Sequence, residues 1–352
     1  MTEPRASSVA RPGSAARLTL LTLLTAFVAL IAPRATFSQS APAAAAPAAQ
    51  APTSGALDVV RVQNNVYAIF GAGGNITVQI GEQGPVLVDA GLAGSSDKVL
   101  AAIKTLSDKP IHDIVNTHIH ADHTGGNQAL STAGGFISGG TTGGGRRDAT
   151  LYSHENVLLR MSGALGKEKP LDTGLWPGNT FFNERKELYV NGEAIELLYQ
   201  PRAHTDGDVI VFFRRSDVIA TGDIFMMTTF PIVDRAHGGT INGLIAGLNT
   251  LLDLVIPAPT QERGTMLVPG HGRLADEHDL LEYRDMVVVI RDRVQKMIDK
   301  GMTLEQVRAA RPASEYEPRW GADTGPWTTA MFVEAVYTSL KEDKNPGQGE
   351  AR

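Results

Sequence analysis

Short apolar runs alternate with polar turns across the first half of the central region. β-branched runs at Val66–Phe70, Ile76–Ile80 and Val86–Asp89 are separated by glycine-rich turns, which predicts three strands. Within Asp97–Leu106 the apolar residues recur every three or four positions, which predicts an amphipathic helix. Ile111–Val115 has the pattern of a further buried strand.

The second half of this region repeats the alternation. The pattern predicts four more strands, an apolar helix and a last strand, at Leu188–Val190, Ala194–Tyr199, Val209–Phe213, Val218–Ala220, Gly243–Val255 and Thr265–Val268 in that order. Asn191-Gly192 between the first two of these strands is typical of a tight hairpin turn. Hairpins interleaved with helices predict an α/β (α+β) fold with a large sheet content.

Beyond residue 275 the apolar spacing becomes helical. Apolar residues at intervals of three and four predict a helix from about Asp276 to Lys300, and Gly301 is placed to end it. Thr303 and Gln306 have the spacing of a capping box that begins a shorter helix. We therefore predict a C-terminal helical extension.

The N-terminal segment has the pattern of a targeting sequence. Arg5, Arg11 and Arg17 precede the uncharged apolar block Leu18–Ala32. This block of about 15 residues is shorter than the roughly 20 that span a bilayer, and it fits the core of a secretory signal. We expect an exported protein, periplasmic or secreted, without a stable membrane span after signal cleavage.

The predicted domain organisation follows from these changes of pattern. A Pro/Ala-rich stretch that cannot form a core follows the apolar block and serves as a linker. The predicted parts are a signal peptide at 1–34, the linker at 35–57, a sheet-containing domain at 58–275, the helical extension at 276–341 and a disordered tail at 342–352.

Composition narrows the chemistry of this 352-residue chain. It has no cysteine, which excludes disulfides, a thiol nucleophile and every sulfur-ligated zinc site. The net charge of −6 at pH 7 gives no basic excess, so we expect no nucleic-acid partner. Any metal ion must therefore be held by the nine histidines and by carboxylates.

Four residues of ligand type follow the predicted strand Ile111–Val115. His118, His120, Asp122 and His123 form the sequence H-x-H-x-D-H. Alternate residues of an extended segment share a face, so His118 and His120 can point at one metal ion. This density of ligand types at a strand end predicts a metal site.

Three later strand ends each add one residue of ligand type beside a glycine, which allows close approach of the backbone. His204 lies in the sequence PRAHTDGD, Asp223 in TGD and His271 in PGHG.

In this order, and with Asp89 in VLVDAGL ahead of them, the motifs resemble those of the metallo-β-lactamase superfamily over about residues 58–275. The resemblance implies a four-layer αβ/βα sandwich with a metal site at one edge. It implies that Asp89 contacts a ligand rather than a metal ion. It also implies a first ion held by His118, His120 and His204, a second held by Asp122, His123 and His271, and a bridging Asp223.

Imidazole and carboxylate ligands without sulfur suit zinc and also accept iron or manganese. Seven ligands shared between two ions leave positions for water, and two ions about 3.5–4 Å apart can hold a bridging hydroxide at neutral pH. We therefore expect two Zn²⁺ ions and a hydrolase that opens an amide, ester or thioester bond of a small-molecule substrate. Asp122 is the expected catalytic residue, since it would orient the nucleophile.

Two other functions stay open at this point. Persulfide dioxygenases use a similar ligand set on one iron, so a mononuclear iron dioxygenase is one alternative, and a non-catalytic metal-binding module is another. The substrate is also open. Asp223 stands where some β-lactamases have a cysteine ligand, and it resembles lactonases and glyoxalase II-type enzymes more. The pattern does not indicate an oligomeric state.

The remaining histidines carry weaker signals. His154, near a helix start, is interpreted as structural, and His237 as lining the mouth of the site or as structural. His112 and His278 are expected at the surface. The glycine-rich segment 134–145 lacks the residues of a phosphate-binding loop, which favours a surface insertion.

Overall fold

The computed structural model describes residues 57–137 and 146–344. The predicted signal peptide, all but the last residue of the linker, residues 138–145 of the glycine-rich segment and the chain beyond residue 344 lie outside the described residues. The strands of the described part are β1 (Asp58–Gln63), β2 (Val66–Phe70), β3 (Ile76–Gln79), β4 (Val86–Val88), β5 (Asp113–Val115), β6 (Phe136–Ile137), β7 (Arg146–Arg147), β8 (Thr150–His154), β9 (Asn179–Phe181), β10 (Arg185–Val190), β11 (Glu193–Gln200), β12 (Asp208–Phe213), β13 (Val218–Gly222) and β14 (Met266–Pro269).

Helices connect and cover these strands. They are α1 (Ser96–Leu106), α2 (Ala121–Thr124), α3 (Asn127–Ala133), α4 (Glu155–Met161), α5 (Ile241–Leu254), α6 (Glu277–Asp299), α7 (Leu304–Ala309), α8 (Glu317–Trp320) and α9 (Thr329–Lys344). Across residues 57–137 and 146–344, no helix combines the length and the apolar character that crossing a bilayer requires.

Two large sheets form the centre of the fold. The first has the order β1-β2-β3-β4-β5-β8-β9, and the second has the order β10-β11-β12-β13-β14. β4, β5 and β8 run parallel, as do β13 and β14. The carboxyl ends of parallel strands lie at the same edge of a sheet, so the loops after these strands are brought together.

The sheets pack face to face through one apolar cluster with members from both, including Val88 and Val115 of the first sheet and Val211 and Val268 of the second. The outer face of the first sheet is covered by α1, whose Val99 and Ile103 join a separate cluster. α5 and α6 cover the second sheet. The four-layer αβ/βα sandwich predicted from the resemblance is confirmed.

The C-terminal helices belong to the core under the second sheet rather than to a separate one. Tyr283 of α6 packs edge-on against Phe225, with ring centroids 5.1 Å apart. Phe332 of α9 stacks on Phe230 at 4.8 Å. α9 continues to Lys344, three residues past the predicted end of the extension at residue 341.

The predicted elements are present with ends that differ by at most three residues. Asn191 and Gly192 both have positive φ (54° and 73°), as the predicted hairpin turn requires. The predicted capping box of Thr303 and Gln306 is also confirmed. The hydrophobic pattern did not predict β8 or β9, and β9 has only three residues at the end of the first sheet, so it carries little periodic signal.

Candidate metal centre

Three histidine nitrogens converge at the edge where the two sheets meet. His118 and His120 lie in the loop between β5 and α2, and His204 lies in the loop between β11 and β12. His120 Nδ1 is 3.1 Å from His118 Nε2 and 3.0 Å from His204 Nε2. Ligand atoms at about 2.0–2.1 Å from a tetrahedral zinc ion stand roughly 3.3 Å apart, so this spacing fits a shared ion.

The hydrogen bonds on the far side of each ring leave these three nitrogens without hydrogens. His120 Nε2 donates to the Asp234 carboxylate at 2.7 Å, and His204 Nδ1 donates to the Ile232 carbonyl at 2.7 Å. His118 Nδ1 contacts Thr117 Oγ1 at 2.9 Å, and the Thr117 hydroxyl itself donates to Asp89. Three lone pairs therefore face one another, an arrangement that a cation stabilises.

Burial favours the same neutral state. Burial lowers the pKa of His204 to about 4. It also holds the pKa of His118 well below its usual range, and the neighbouring His123 adds to that effect. The neutral imidazole is the form that binds a metal ion.

A second group of ligand-type residues lies beside the first. Asp122 and His123 are carried by α2, and His271 follows β14. His271 Nε2 is 3.1 Å from Asp122 Oδ2, and His123 Nε2 is 3.8 Å from the same oxygen. These three residues form a second set that can hold a metal ion.

Asp223, at the end of β13, lies between the two groups. Its Oδ1 is 3.3 Å from His123 Nε2, while its Oδ2 is 3.7 Å from His204 Nε2 and 3.6 Å from His271 Nε2. Burial opposes its ionisation, but the surrounding imidazoles, His123 foremost, hold the pKa of Asp223 well below its usual range. One carboxylate therefore faces both groups.

Two atoms of the centre are buried without a hydrogen bond, namely His123 Nε2 and Asp223 Oδ1. Leaving such atoms unpaired is costly, and a metal ion would satisfy both. Glycine makes their close approach possible. A Cβ at Gly270 would lie 2.0 Å from Asp223 Oδ1, and a Cβ at Gly74 would lie 2.4 Å from the His123 ring. The residues present thus fit bound metal ions.

Asp89 contacts His123, one of the residues that the sequence predicts as ligands. It has a left-handed backbone (φ 67°) directly after β4. Its Oδ2 accepts a hydrogen bond from His123 Nδ1 at 2.7 Å, and Oδ1 accepts one from the Thr117 amide at 2.8 Å. Asp89 therefore orients His123 and also fixes the residue that precedes His118.

The loop of His204 is held by a buried carboxylate. Asp208 accepts hydrogen bonds from the Thr205 amide and from the Thr205 hydroxyl, both at 2.7 Å. Burial raises the pKa of Asp208 well above its usual range, although these hydrogen bonds oppose the shift. The motif HTDGD is thus a turn that presents His204 to the first group.

Asp234 is a residue of the centre that sequence reasoning missed. Its Oδ2 binds His120 at 2.7 Å and His237 Nδ1 at 2.6 Å. These separations are those of hydrogen bonds, and they are shorter than the roughly 3.3 Å expected between two ligands of one zinc ion. Asp234 therefore orients His120. The available signal was an Asp and a His three positions apart beside Gly238 and Gly239.

The other histidines serve different ends. His154 is the N-cap of α4, accepting a hydrogen bond from the Asn156 amide, and it stacks on Tyr199 at 3.6 Å. His237 is half-buried beside the centre, and its hydrogen bond to Asp234 raises its pKa. His278 is exposed, whereas His112 is partly covered and pairs with Asp113.

One side of the centre is open. The side chains of His120, Asp122 and His271 are 26%, 32% and 27% exposed, whereas His118, His123 and His204 are fully buried. Asp223 is 3% exposed. A molecule that approaches from solvent would meet the open residues first.

The two sheets place histidines and carboxylates at their shared edge. This fold and this site together define a metal-binding αβ/βα protein. The family model of the metallo-beta-lactamase superfamily matches residues 69–277, more than half of the chain. The chain belongs to the metallo-β-lactamase superfamily, and the resemblance seen in the sequence is confirmed.

Two curated relatives are similar in sequence. The linear primary-alkylsulfatase of Pseudomonas sp. (strain ATCC 19151) is 25% identical over 280 residues, which cover 67% of this chain and 50% of that protein. The metallo-beta-lactamase type 2 of Bacillus sp. (strain 170) is 22% identical over 207 residues, which cover 58% of this chain and 69% of that protein. The chain spans about half the length of the alkylsulfatase.

Solved structures show the same fold. The sec-alkylsulfatase Pisa1 from Pseudomonas sp. superposes with a TM-score of 0.55 at 18% identity, covering 84% of this chain and 52% of that one. The metallo-beta-lactamase from Pontibacter korlensis gives a TM-score of 0.50 at 18% identity, covering 66% of this chain and 99% of that one.

Proposed function

We propose that the chain is a dinuclear zinc-dependent hydrolase that opens an amide, ester or thioester bond of a small molecule. The observation that carries this proposal is the position of Asp223, whose two carboxylate oxygens face two separate histidine-containing groups. The curated relatives, which are named as an alkylsulfatase and as β-lactamases, support hydrolysis.

Zinc is the proposed metal because the donors are imidazoles and carboxylates without sulfur, with iron or manganese as possible substitutes. His118, His120 and His204 would hold the first ion, and Asp122, His123 and His271 the second. When bound, two such ions supply an activated water and polarise the bond to be broken.

The chain's own residues divide the remaining tasks. Asp122 is the most exposed carboxylate of the centre, and we assign to it the orientation of the attacking water. His120 and His271 border the same open side, so the substrate would enter between them. Asp89 and Asp234 hold the tautomers of His123 and His120.

A second candidate reaction is the hydrolysis of an alkyl sulfate ester. The similarity over 280 residues to the linear primary-alkylsulfatase favours it. The same centre would serve, so the two candidates differ in substrate and not in the residues that we assign.

The test is a substrate panel on purified protein whose metal content is measured first. The panel contains a chromogenic cephalosporin, an acyl-homoserine lactone, a glutathione thioester and a linear alkyl sulfate. Two zinc ions per chain with turnover of the cephalosporin, the lactone or the thioester supports the proposal, and turnover of the alkyl sulfate alone supports the second candidate. One iron per chain with oxygen consumption on a persulfide would replace it with the mononuclear dioxygenase, and metal without any turnover would favour a binding module.

We also propose that residues 1–34 direct export to the periplasm or the medium. The basic N-terminus followed by an apolar block supports this. Expression of the full chain, fractionation and N-terminal sequencing of the mature protein test it. A cytoplasmic protein with an intact N-terminus contradicts export.

A further inference from the structure

Arg160, at the end of α4, is a charged residue that is only 7% exposed. Its guanidinium forms a two-pronged ion pair with Asp206, in which Nε to Oδ1 and NH2 to Oδ2 are both 2.7 Å. A third contact runs from NH1 to the Ala236 carbonyl at 3.4 Å. An arginine can be buried when ion-pair and hydrogen-bond partners compensate its charge. The planar guanidinium also fixes the relative positions of these partners.

Asp206 lies two residues after His204 and joins several segments. Its amide donates to the His237 carbonyl at 2.8 Å. Its own carbonyl accepts hydrogen bonds from Asn156 Nδ2 at 2.8 Å and from the Tyr199 hydroxyl at 2.9 Å. The loop of His204 is thereby tied to α4, to β11 and to the segment that contains His237.

That segment returns to the first group of ligands. The Asp234 amide donates to the His204 carbonyl at 3.0 Å, and the Asp234 side chain accepts from His120. The contacts that start at Arg160 therefore reach two of the three histidines of the first group. Among the residues that the structure describes, Arg160 and Asp206 have no hydrogen bond or ion pair with Asp122, His123 or His271.

We propose that Arg160 is a positioning residue for the first metal ion. Through Asp206 and the backbone of residues 236–237, Arg160 fixes the position of the His204 loop relative to the segment of Asp234. The inference rests on the metal centre of the proposed function and is independent of the reaction.

The test compares the two metal sites separately. In a His271→Ala background the group of His118, His120 and His204 is complete, and in a His204→Ala background the second group is complete. Arg160→Lys keeps the charge but loses the fork. We expect it to weaken Zn²⁺ binding by about 10–100-fold in the first background, measured by chelator competition, and to leave binding unchanged in the second.

Two further measurements separate positioning from general destabilisation. Substitution with Co²⁺ reports the ligand geometry, and Arg160→Lys should change the visible absorption of the first site alone. Arg214→Lys is the control for loss of a guanidinium–carboxylate contact, because the exposed Arg214 also pairs with a carboxylate, Glu196, at a distance from the centre. It should leave both affinities and both spectra unchanged.

Asp206→Asn is the second variant, since it removes the negative charge of the ion pair and keeps the shape of the side chain. It should reproduce the loss at the first site. Equal weakening at both sites, no weakening at either, or failure of both variants to fold would overturn the proposal. Wild-type protein that binds no metal would instead refute the proposed function itself.

Discussion

The Nε2 atom of His120 donates a hydrogen bond to Oδ2 of Asp234 at 2.7 Å. This contact decides which nitrogen of His120 faces the other two histidines, because a neutral imidazole carries one hydrogen. Asp234 therefore acts on the first group of ligands through His120, although it lies 114 positions away along the chain.

The substitution Asp234→Asn should weaken metal binding by about 10–100-fold, because the neutral amide no longer holds His120 in the required tautomer. Zinc affinity by chelator competition measures this. Asp253→Asn, at an exposed position of α5, is the matched control and should have no effect. Unchanged affinity in Asp234→Asn would show that His120 needs no such partner.

Removal of His271 should reduce the metal content from two ions per chain to one. His271 lies at the open side and belongs to the second group, so the first group keeps all its histidines. Elemental analysis of the purified His271→Ala protein gives the count. The exposed His278→Ala variant should retain two ions, and a His271→Ala protein that also retains two would contradict the assignment.

Metal removal should lower the thermal stability of the folded protein. Without an ion, His123 Nε2 and Asp223 Oδ1 are buried without a hydrogen bond, and three histidine lone pairs face one another. Free zinc at about 100 times its Kd should add about 2.7 kcal/mol to the free energy of unfolding. Calorimetry with chelator and then with excess zinc measures the change. An identical Tm in both conditions would exclude a metal ion at this centre.

His154 should make stability depend on pH in the acid range. Its burial lowers its pKa to about 4 from an ordinary value of 6.5. Between these values the unfolded chain binds more protons than the folded one. The contribution of His154 to the free energy of unfolding is therefore fully present above pH 6.5 and is lost as the pH drops towards 4.

The variant His154→Asn tests this linkage, since asparagine also accepts hydrogen bonds as an N-cap but does not titrate. Denaturant unfolding of the metal-free proteins at several pH values gives the comparison. Relative to the variant, the wild type should lose on the order of 2 kcal/mol between pH 7 and pH 4. Parallel pH profiles would show that His154 is not the group responsible.

Phe332→Ala should destabilise the whole domain. Phe332 is fully buried and stacks on Phe230, so truncation leaves a cavity that costs about 3–5 kcal/mol. The neighbouring Met331 is 40% exposed, and Met331→Ala should cost far less. A single cooperative transition in both variants would show that α9 unfolds with the sandwich, whereas a separate early transition would show that it does not.

The parts of the centre that the sequence predicted are those that depend on short-range spacing. His118, His120, Asp122 and His123 lie within six positions, Asp223 and His271 follow strand ends beside a glycine, and His204 lies in the short loop between β11 and β12. The hydrophobic pattern placed those strands, so it also placed the ligands at strand ends.

Asp234 and Arg160 could not be predicted in this way. Both act across long separations, since Arg160 and Asp206 are 46 positions apart. Which loop reaches which ligand depends on how the two sheets pack, and periodicity does not encode this. The fold was easier to predict, because its strands and amphipathic helices each leave a local pattern.

Each of the two groups of ligand-type residues draws on both sheets, and His120 and His204 are separated by 84 positions. No stretch of the unfolded chain contains either group in full, so a complete site forms only once the sheets have docked. The complete set of ligands would consequently be offered only to the ions that are present where folding is completed.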